Sequence, residues 1–541
     1  MPPLADLSHL SLEKQVAQMV VVRASGHLFD HEIRHPDWEP PAQVLEHCVR
    51  DLGVGGVILL GGSAAEIGLR TQQIQSWASI PLLMAADIEE GVGQRFSGAI
   101  ALPPPMAIAQ IARQDLNQAC QYATQMGSAT AQEALAIGLN WVLAPVVDVN
   151  NNPDNPVINV RAFGDDPDTV SALATAFIKG AHQFPVLTAA KHFPGHGDTA
   201  TDSHLQLPII PHDRQRLETL EMPPFRAAIA AGVDAVMSAH LLIPTLDPDL
   251  PATLSPYVLD TLLRQDLGFD GLIVTDALVM GAIANHYGEN EAAVMAVEAG
   301  ADILLMPLDP EGTIAAVVAA VESGRISPER IWASVERIRW AKKRTSNNLL
   351  GEHDKGSTHA WENVSPPPVH LHQLAQPETR AIAHDILRES MVCSGHLPIT
   401  AINAGRNIIL LDDSLSSDFL GHHTPAIAQP KASGYDTLHI IDSATPRRPS
   451  TLSPDDLSPI LVQIFVRGNP FRGQAGLSVI LSAWLESLLN SPNLQAIAIY
   501  GSPYMLEHLR SQIRPSLPVV FTYGQMPAAQ DLVFQTLLGI D

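Results

Sequence analysis

Short apolar runs recur along the first 345 positions, and most are followed by a longer stretch with helical spacing of apolar and polar residues. Eight such runs are centred on residues 18–22, 54–60, 82–86, 141–145, 187–191, 235–239, 272–275 and 303–306. Runs of this length, rich in Val, Ile, Leu and Ala, predict buried strands of a parallel sheet. The stretches at 64–78, 168–183, 213–231 and 290–299 have the length and composition of helices. Eight strands alternating with helices predict a (β/α)8 barrel, with a doubly wound open sheet as the competing arrangement.

The pattern dissolves between about 344 and 376 into Ser, Asn, Gly and His, with a Pro366-Pro367-Pro368 run, which predicts an extended linker over 346–376. Beyond it, apolar runs at 408–411, 438–441, 461–466, 496–500 and 519–522 alternate with helical stretches such as 378–390 and 477–488. The expected organisation is a barrel at 1–345, the linker, and a smaller α/β/α sandwich at 377–541. No separate catalytic constellation is legible in the sandwich; it is expected to support the barrel structurally, with a loop lent to the cleft or a dimer contact as alternatives.

Composition narrows the class. Of 541 residues, 46% are hydrophobic and 16% charged, which supplies large cores and argues against disorder. A net charge of −25 argues against nucleic-acid binding, which needs concentrated Lys and Arg. Cys48, Cys120 and Cys393 lie far apart, so neither a disulfide framework nor a thiolate zinc site is expected. The N-terminal segment has no basic start or sustained apolar run, and no apolar stretch reaches the length of a membrane span. A cytoplasmic protein, monomeric or homodimeric, is expected.

The chemistry concentrates at predicted strand ends: Asp87, Asp148, Lys191, His192, His240 and Asp276. In a barrel these converge on one face, where loops build the active site. The densest segment is Lys191-His192-Phe193-Pro194-Gly195-His196-Gly197-Asp198-Thr199-Ala200-Thr201-Asp202-Ser203-His204. One Lys, three His and two Asp suit an active site better than a packed core. If the loop is extended at its end, Asp202 and His204 point the same way, and the carboxylate sets the imidazole's tautomer and basicity.

This segment resembles the signature of glycoside hydrolase family 3, in its bacterial β-N-acetylglucosaminidase branch. Residues 87–96, 159–164 and 274–277 extend the resemblance over the whole barrel, and the second domain resembles the sandwich of two-domain members. The resemblance implies a retaining exo-β-N-acetylhexosaminidase acting on a carbohydrate substrate, with muropeptide-type fragments suggested, and requiring no cofactor. It implies that Asp276 is the nucleophile, His204 the general acid/base and Asp202 its dyad partner. It further implies that Asp87, Arg95, Arg161, Lys191 and His192 bind the sugar. His196 and His240 either shape the pocket or are structural. Glu90 and Val92 depart from the more usual paired glycines and Arg of the Asp87–Arg95 run.

Three alternatives stand beside this one. A family 3 β-glucosidase leaves Asp202-Ser203-His204 unexplained. An N-acetylglucosaminide phosphorylase is compatible with a His acid/base, which repels phosphate less than a carboxylate does. From another class, His192, His196, Asp198, Asp202, His204 and His240 could bind metal in a barrel hydrolase, although no His-x-His or His-Glu-x-x-His spacing is present.

Overall fold

A computed structural model describes residues 10–345, 368–400, 404–415, 417–445, 458–468 and 473–539. Eight parallel strands follow the chain: β1 Val20–Ser25, β2 Gly56–Leu60, β3 Leu83–Ala86, β4 Trp141–Val142, β5 Leu187–Phe193, β6 Ala235–Ser238, β7 Leu272–Val274 and β8 Leu304–Leu305. Each pairs with its sequence neighbours, β8 pairs back onto β1, and a bridge between Val274 and Ile303 closes the ring at β7 and β8. The closed barrel therefore replaces the open-sheet alternative. β1 begins later than its apolar run because Gln18 still closes the preceding helix, its backbone N–H bonding to the Lys14 carbonyl and the Met19 N–H to that of Val16.

The helices start where the chemistry of capping places them. Asp166-Pro167, Asp309-Pro310 and Ser327-Pro328 each put a side-chain acceptor at the cap and a proline, whose missing N–H costs nothing there, in the first turn. Ser63 and Glu66 form a reciprocal capping box at the head of Ala64–Trp77. The long helix Leu116–Ala136 crosses Pro167–Ala181 at glycines: a Cβ on Gly180 would lie 1.9 Å from the Thr124 carbonyl oxygen, and one on Gly127 2.1 Å from that of Phe177. Those two backbones touch only because both residues are Gly.

The second domain is a six-stranded sheet: β9 Val392–Ser394, β10 Arg406–Leu410, β11 Thr437–Ile441, β12 Ile460–Val466, β13 Leu494–Gly501 and β14 Val519–Thr522. The order is β11-β10-β12-β13-β14-β9, parallel except for the edge strand β9. That short, half-exposed strand has no apolar run to announce it.

Most of the predicted linker lies outside the described residues. Its described end, 368–376, runs over the barrel, with the Ala375 N–H donating to buried Glu133 at 2.7 Å and the His370 N–H to the Ala136 carbonyl at 2.8 Å. Tyr122 also donates to Glu389 at 2.8 Å, tying the first helix after the linker to the barrel. Among the described residues no helix is long and apolar enough to cross a membrane.

Candidate active site

Strand geometry brings the predicted residues to one mouth. The β5–β6 register shifts between Lys191 and Phe193, and such an irregularity re-aims strand-end side chains. Lys191, 1% exposed, reaches Asp87 Oδ1 at 2.7 Å and Glu89 Oε1 at 2.6 Å. Arg161 clamps the same Glu89 through Nε and Nη2 at 2.8 and 2.7 Å. Burial alone would raise the Glu89 carboxyl, but the adjoining Arg161 and Lys191 cations overcome it and hold it well below the carboxylate range. Lys191 is likewise lowered by burial and raised further by Asp87 and Glu89, so it stays charged.

Asp148 proves to be the anchor of the long loop. Fully buried, it accepts the His192 ring Nδ1 at 2.8 Å and the backbone N–H groups of His192 and His196, the latter at 2.7 Å. With Nδ1–H donated to Asp148, Nε2 is the remaining nitrogen of His192, which lines the cleft. Gly197 then passes so close to the barrel that a Cβ there would stand 1.7 Å from the Val149 carbonyl oxygen. His196 is pushed down to about 4, by burial first and by His192 second, and its Nε2 meets Ser203 Oγ at 3.0 Å.

The loop is not extended at Asp202–His204, as the sequence suggested, but turns. Asp202 Oδ1 accepts both the His204 backbone N–H and ring Nδ1, each at 2.9 Å, so the carboxylate makes the turn and orients the imidazole at once. Asp202 is buried, whereas the His204 side chain keeps 19% of its exposure and lines the cleft. The His204 carbonyl accepts the Gly281 N–H at 3.2 Å, docking the loop on the chain that follows β7.

Asp276 stands just beyond β7, and its Oδ1 accepts the next residue's N–H at 2.7 Å. Burial would raise its carboxyl, but His240, His192, His204 and the Ala277 N–H bring it down to about 2. His240 is not on the cleft wall: fully buried, it holds Thr253 and the Ala277 carbonyl behind the carboxylate. Burial lowers its pKa and favours the neutral ring.

Asp87, Arg95, Arg161, Lys191, His192, His204 and Asp276 all line one cleft of about 1800 Å³. Arg95 differs from its companions: it is exposed, and its Nε donates to the Asp87 backbone carbonyl at 3.0 Å. The residues of the metal alternative are engaged in these pairings instead, and Asp198 in contacts with His212 at 2.8 Å and Arg216 at 3.1 Å. Among the described residues, metal-capable donor atoms converge only at His27, Glu32 and Glu66, which share no residue with that set. The second domain also reaches the cleft, through Arg467 and neighbouring loop residues, and is more than a support packed outside it.

Sequence reasoning missed Glu89, although its place two residues after Asp87 at a strand end was a usable signal. It named Asp148 without a role. Nothing in the sequence pointed to Arg467, which simply ends an apolar strand.

A barrel mouth carrying a buried carboxylate, an Asp-supported His on a loop and a Lys/Arg/carboxylate cluster, closed over by an α/β sandwich, defines a two-domain barrel of the glycosidase type. Residues 11–340 match the glycosyl hydrolase family 3 N terminal domain and residues 399–539 the bacterial glycosyl hydrolase family 3 C-terminal domain. The chain belongs to glycoside hydrolase family 3.

It is similar to beta-hexosaminidase A of Pseudoalteromonas piscicida, 35% identical over 54% of this chain and 54% of that protein. A beta-N-acetylglucosaminidase/beta-glucosidase of Cellulomonas fimi is 31% identical over 66% of this chain and 63% of its own length. The match thus spans less than two thirds of each of these relatives. A solved family 3 beta-N-acetylglucosaminidase from Paenibacillus sp. superposes with a TM-score of 0.77 at 30% identity, covering 98% of this chain and 97% of that one.

Proposed function

We propose that the protein is a retaining exo-β-N-acetylglucosaminidase, acting in the cytoplasm on glycan fragments of the muropeptide type. The observation that carries this reading is the sharing of one cleft by ionised Asp276 and by His204, whose ring the buried Asp202 orients. The names of the Pseudoalteromonas and Paenibacillus relatives support the sugar preference.

Asp276 Oδ1 is engaged by the Ala277 N–H, so Oδ2 is the oxygen that attacks the anomeric carbon. As the C1–O bond breaks, the leaving oxygen takes the proton of His204 Nε2, while Asp202 at Nδ1 stabilises the imidazole in both protonation states. In the second half His204 Nε2 removes a proton from water, whose oxygen attacks C1 and releases Asp276, restoring the original anomeric configuration. Lys191 and Arg161 donate to hydroxyl and acetamido oxygens, Asp87 and His192 Nε2 accept from hydroxyls, and Arg95 holds the Asp87 backbone in place.

The test is hydrolysis of a chromogenic N-acetyl-β-glucosaminide against the matching glucoside, with and without phosphate, by wild type, Asp276→Asn and His204→Ala. Asp276→Asn is expected to abolish turnover. His204→Ala is expected to keep far more activity on an activated phenolic leaving group than on an alkyl one. Equal losses on both substrates refute the acid role, preference for the glucoside refutes the sugar assignment, and a sugar phosphate product marks a phosphorylase.

A further inference from the structure

Arg467 is the first residue beyond β12, at the point where the strand order of the second sheet reverses between β10 and β12. The crevice outside such a reversal is where open α/β sheets receive ligands. Here a barrel carboxylate occupies it: Arg467 grips Glu90 through Nη2–Oε1 at 2.6 Å and Nη1–Oε2 at 3.1 Å. Glu90 is 4% exposed, and its backbone is fixed by Gln94 and by the Leu102 N–H. Its neighbour Glu89 holds Arg161 and Lys191, and Asp87, three residues earlier, holds Lys191.

The next residue presses on the other side of the same cluster. A Cβ on Gly468 would lie 2.7 Å from the Asn159 Cβ and 2.9 Å from the Pro156 carbonyl oxygen, so only glycine permits the approach. Asn159 opens the short helical turn Asn159–Arg161 and itself adopts a left-handed φ of 45°. Two consecutive residues of the second domain therefore touch both barrel loops that carry the Lys191 cluster.

We propose that Arg467 and Gly468 make the second domain a positioning element of the sugar pocket. By gripping Glu90 and bearing on Asn159, they set the loops that present Asp87, Glu89 and Arg161 to Lys191. This rests on the reading above that this cluster binds the sugar. The Glu90 that departs from the usual glycine of the run is thereby accounted for, as the partner of a second-domain arginine.

Full-length Arg467→Met, Glu90→Gln and their double variant test it on the chromogenic N-acetyl-β-glucosaminide, with the inhibition constant of free N-acetylglucosamine as the binding readout. Each single change is expected to lower kcat/KM by on the order of 10- to 100-fold, the scale of a misplaced binding group. N-acetylglucosamine is expected to bind more weakly in parallel while circular dichroism stays native. The double variant is expected to be no worse than the poorer single, because both remove one pair. Millimolar guanidinium is expected to restore part of the activity of Arg467→Ala, which a general packing defect would not allow.

Arg467→Lys, which keeps the charge, decides the matter if the Met variant does not fold: a measurable loss supports the proposal and wild-type kcat/KM overturns it. Double-variant losses equal to the product of the single ones also overturn it. A wild type inactive on every glycoside strikes the proposed function, whereas an active wild type with unaffected variants strikes this inference alone.

Discussion

Glu89→Gln is the most demanding probe of the charged cluster. The carboxylate is 2% exposed and receives Arg161 at 2.8 and 2.7 Å and Lys191 at 2.6 Å. The amide keeps the shape but removes the charge, leaving Lys191 with Asp87 as its acidic partner and Arg161 facing a neutral group. Breaking a buried pair from one side costs about 3–5 kcal/mol. At about 2.1 cal/mol/K per residue, the matched barrel segment 11–340 has an unfolding entropy near 0.7 kcal/mol/K, so the barrel transition should fall by roughly 6 °C.

The pH dependence of that difference is a second test. Because the folded-state carboxyl sits well below its ordinary value, its stabilisation is complete above about pH 4.5 and is lost as pH falls toward the folded pKa. Calorimetry of both proteins from pH 7 to pH 3.5 should show a constant gap down to about pH 4.5 and a narrowing one below. A shift under 1 °C at pH 7, or a gap that does not narrow in acid, refutes the assignment of Glu89 as the ionised centre of the cluster.

Asp302→Asn should destabilise the barrel by a similar roughly 3–5 kcal/mol in urea unfolding while leaving kcat/KM of the folded protein unchanged, since this buried carboxylate pairs with Arg264, Arg330 and Arg337 away from the cleft. Gly180→Ala should cost about 1–3 kcal/mol or more by the same measurement, because its Cβ would meet the Thr124 carbonyl at 1.9 Å and the two helices must separate. Lys342, buried beside Gln18 and lowered by that burial to about 7, predicts a gain. The unfolded lysine binds its proton up to about pH 10, so native stability rises with pH between about 7 and 10; Lys342→Met should stabilise by about 2 kcal/mol at pH 6.5, and urea unfolding at pH 9.5 should show less.

The barrel was legible because its strands are apolar on both faces and their ends carry charge: Asp87, Lys191 and Asp276 stand out against uniformly buried neighbours. The His204–Asp202 pair was legible from spacing, but its geometry was not. A carboxylate two residues before an imidazole also caps the turn between them, and that local bond overrides the extended alternation. Edge strand β9 escaped notice because edge strands need no apolar run. Glu90 was visible only as a departure from the usual run, since its partner Arg467 lies 377 positions away and no local pattern encodes a contact between domains.

The polar residues at the opposite end of the barrel show why strands so short can close. β4 and β8 have two residues each and β7 three, too few for a continuous ladder of backbone bonds. At three entrances a side chain stands in for the missing partner. Asn140, before β4, accepts the Met84 N–H of β3; Asp234, before β6, accepts the Thr188 N–H of β5; Asp302, before β8, accepts the Ile273 N–H next to the closing seam. Asn140 and Asp302 are buried and Asp234 is half-buried, and the backbone groups they satisfy, on the fully buried Met84, Thr188 and Ile273, are ones that water cannot reach. The two acids are neutralised by cations from outer helices, Asp234 by Arg344 and Asp302 by Arg264, Arg330 and Arg337. Charge at the strand entrances therefore serves closure, and charge at the strand exits lines the cleft or, as with Asp148 and Glu89, holds the residues that do. It follows that removing Asp302 and removing Glu89, changes of the same electrostatic kind, part company in the assay: both lower stability, and only the second disturbs the groups assigned to hold the sugar.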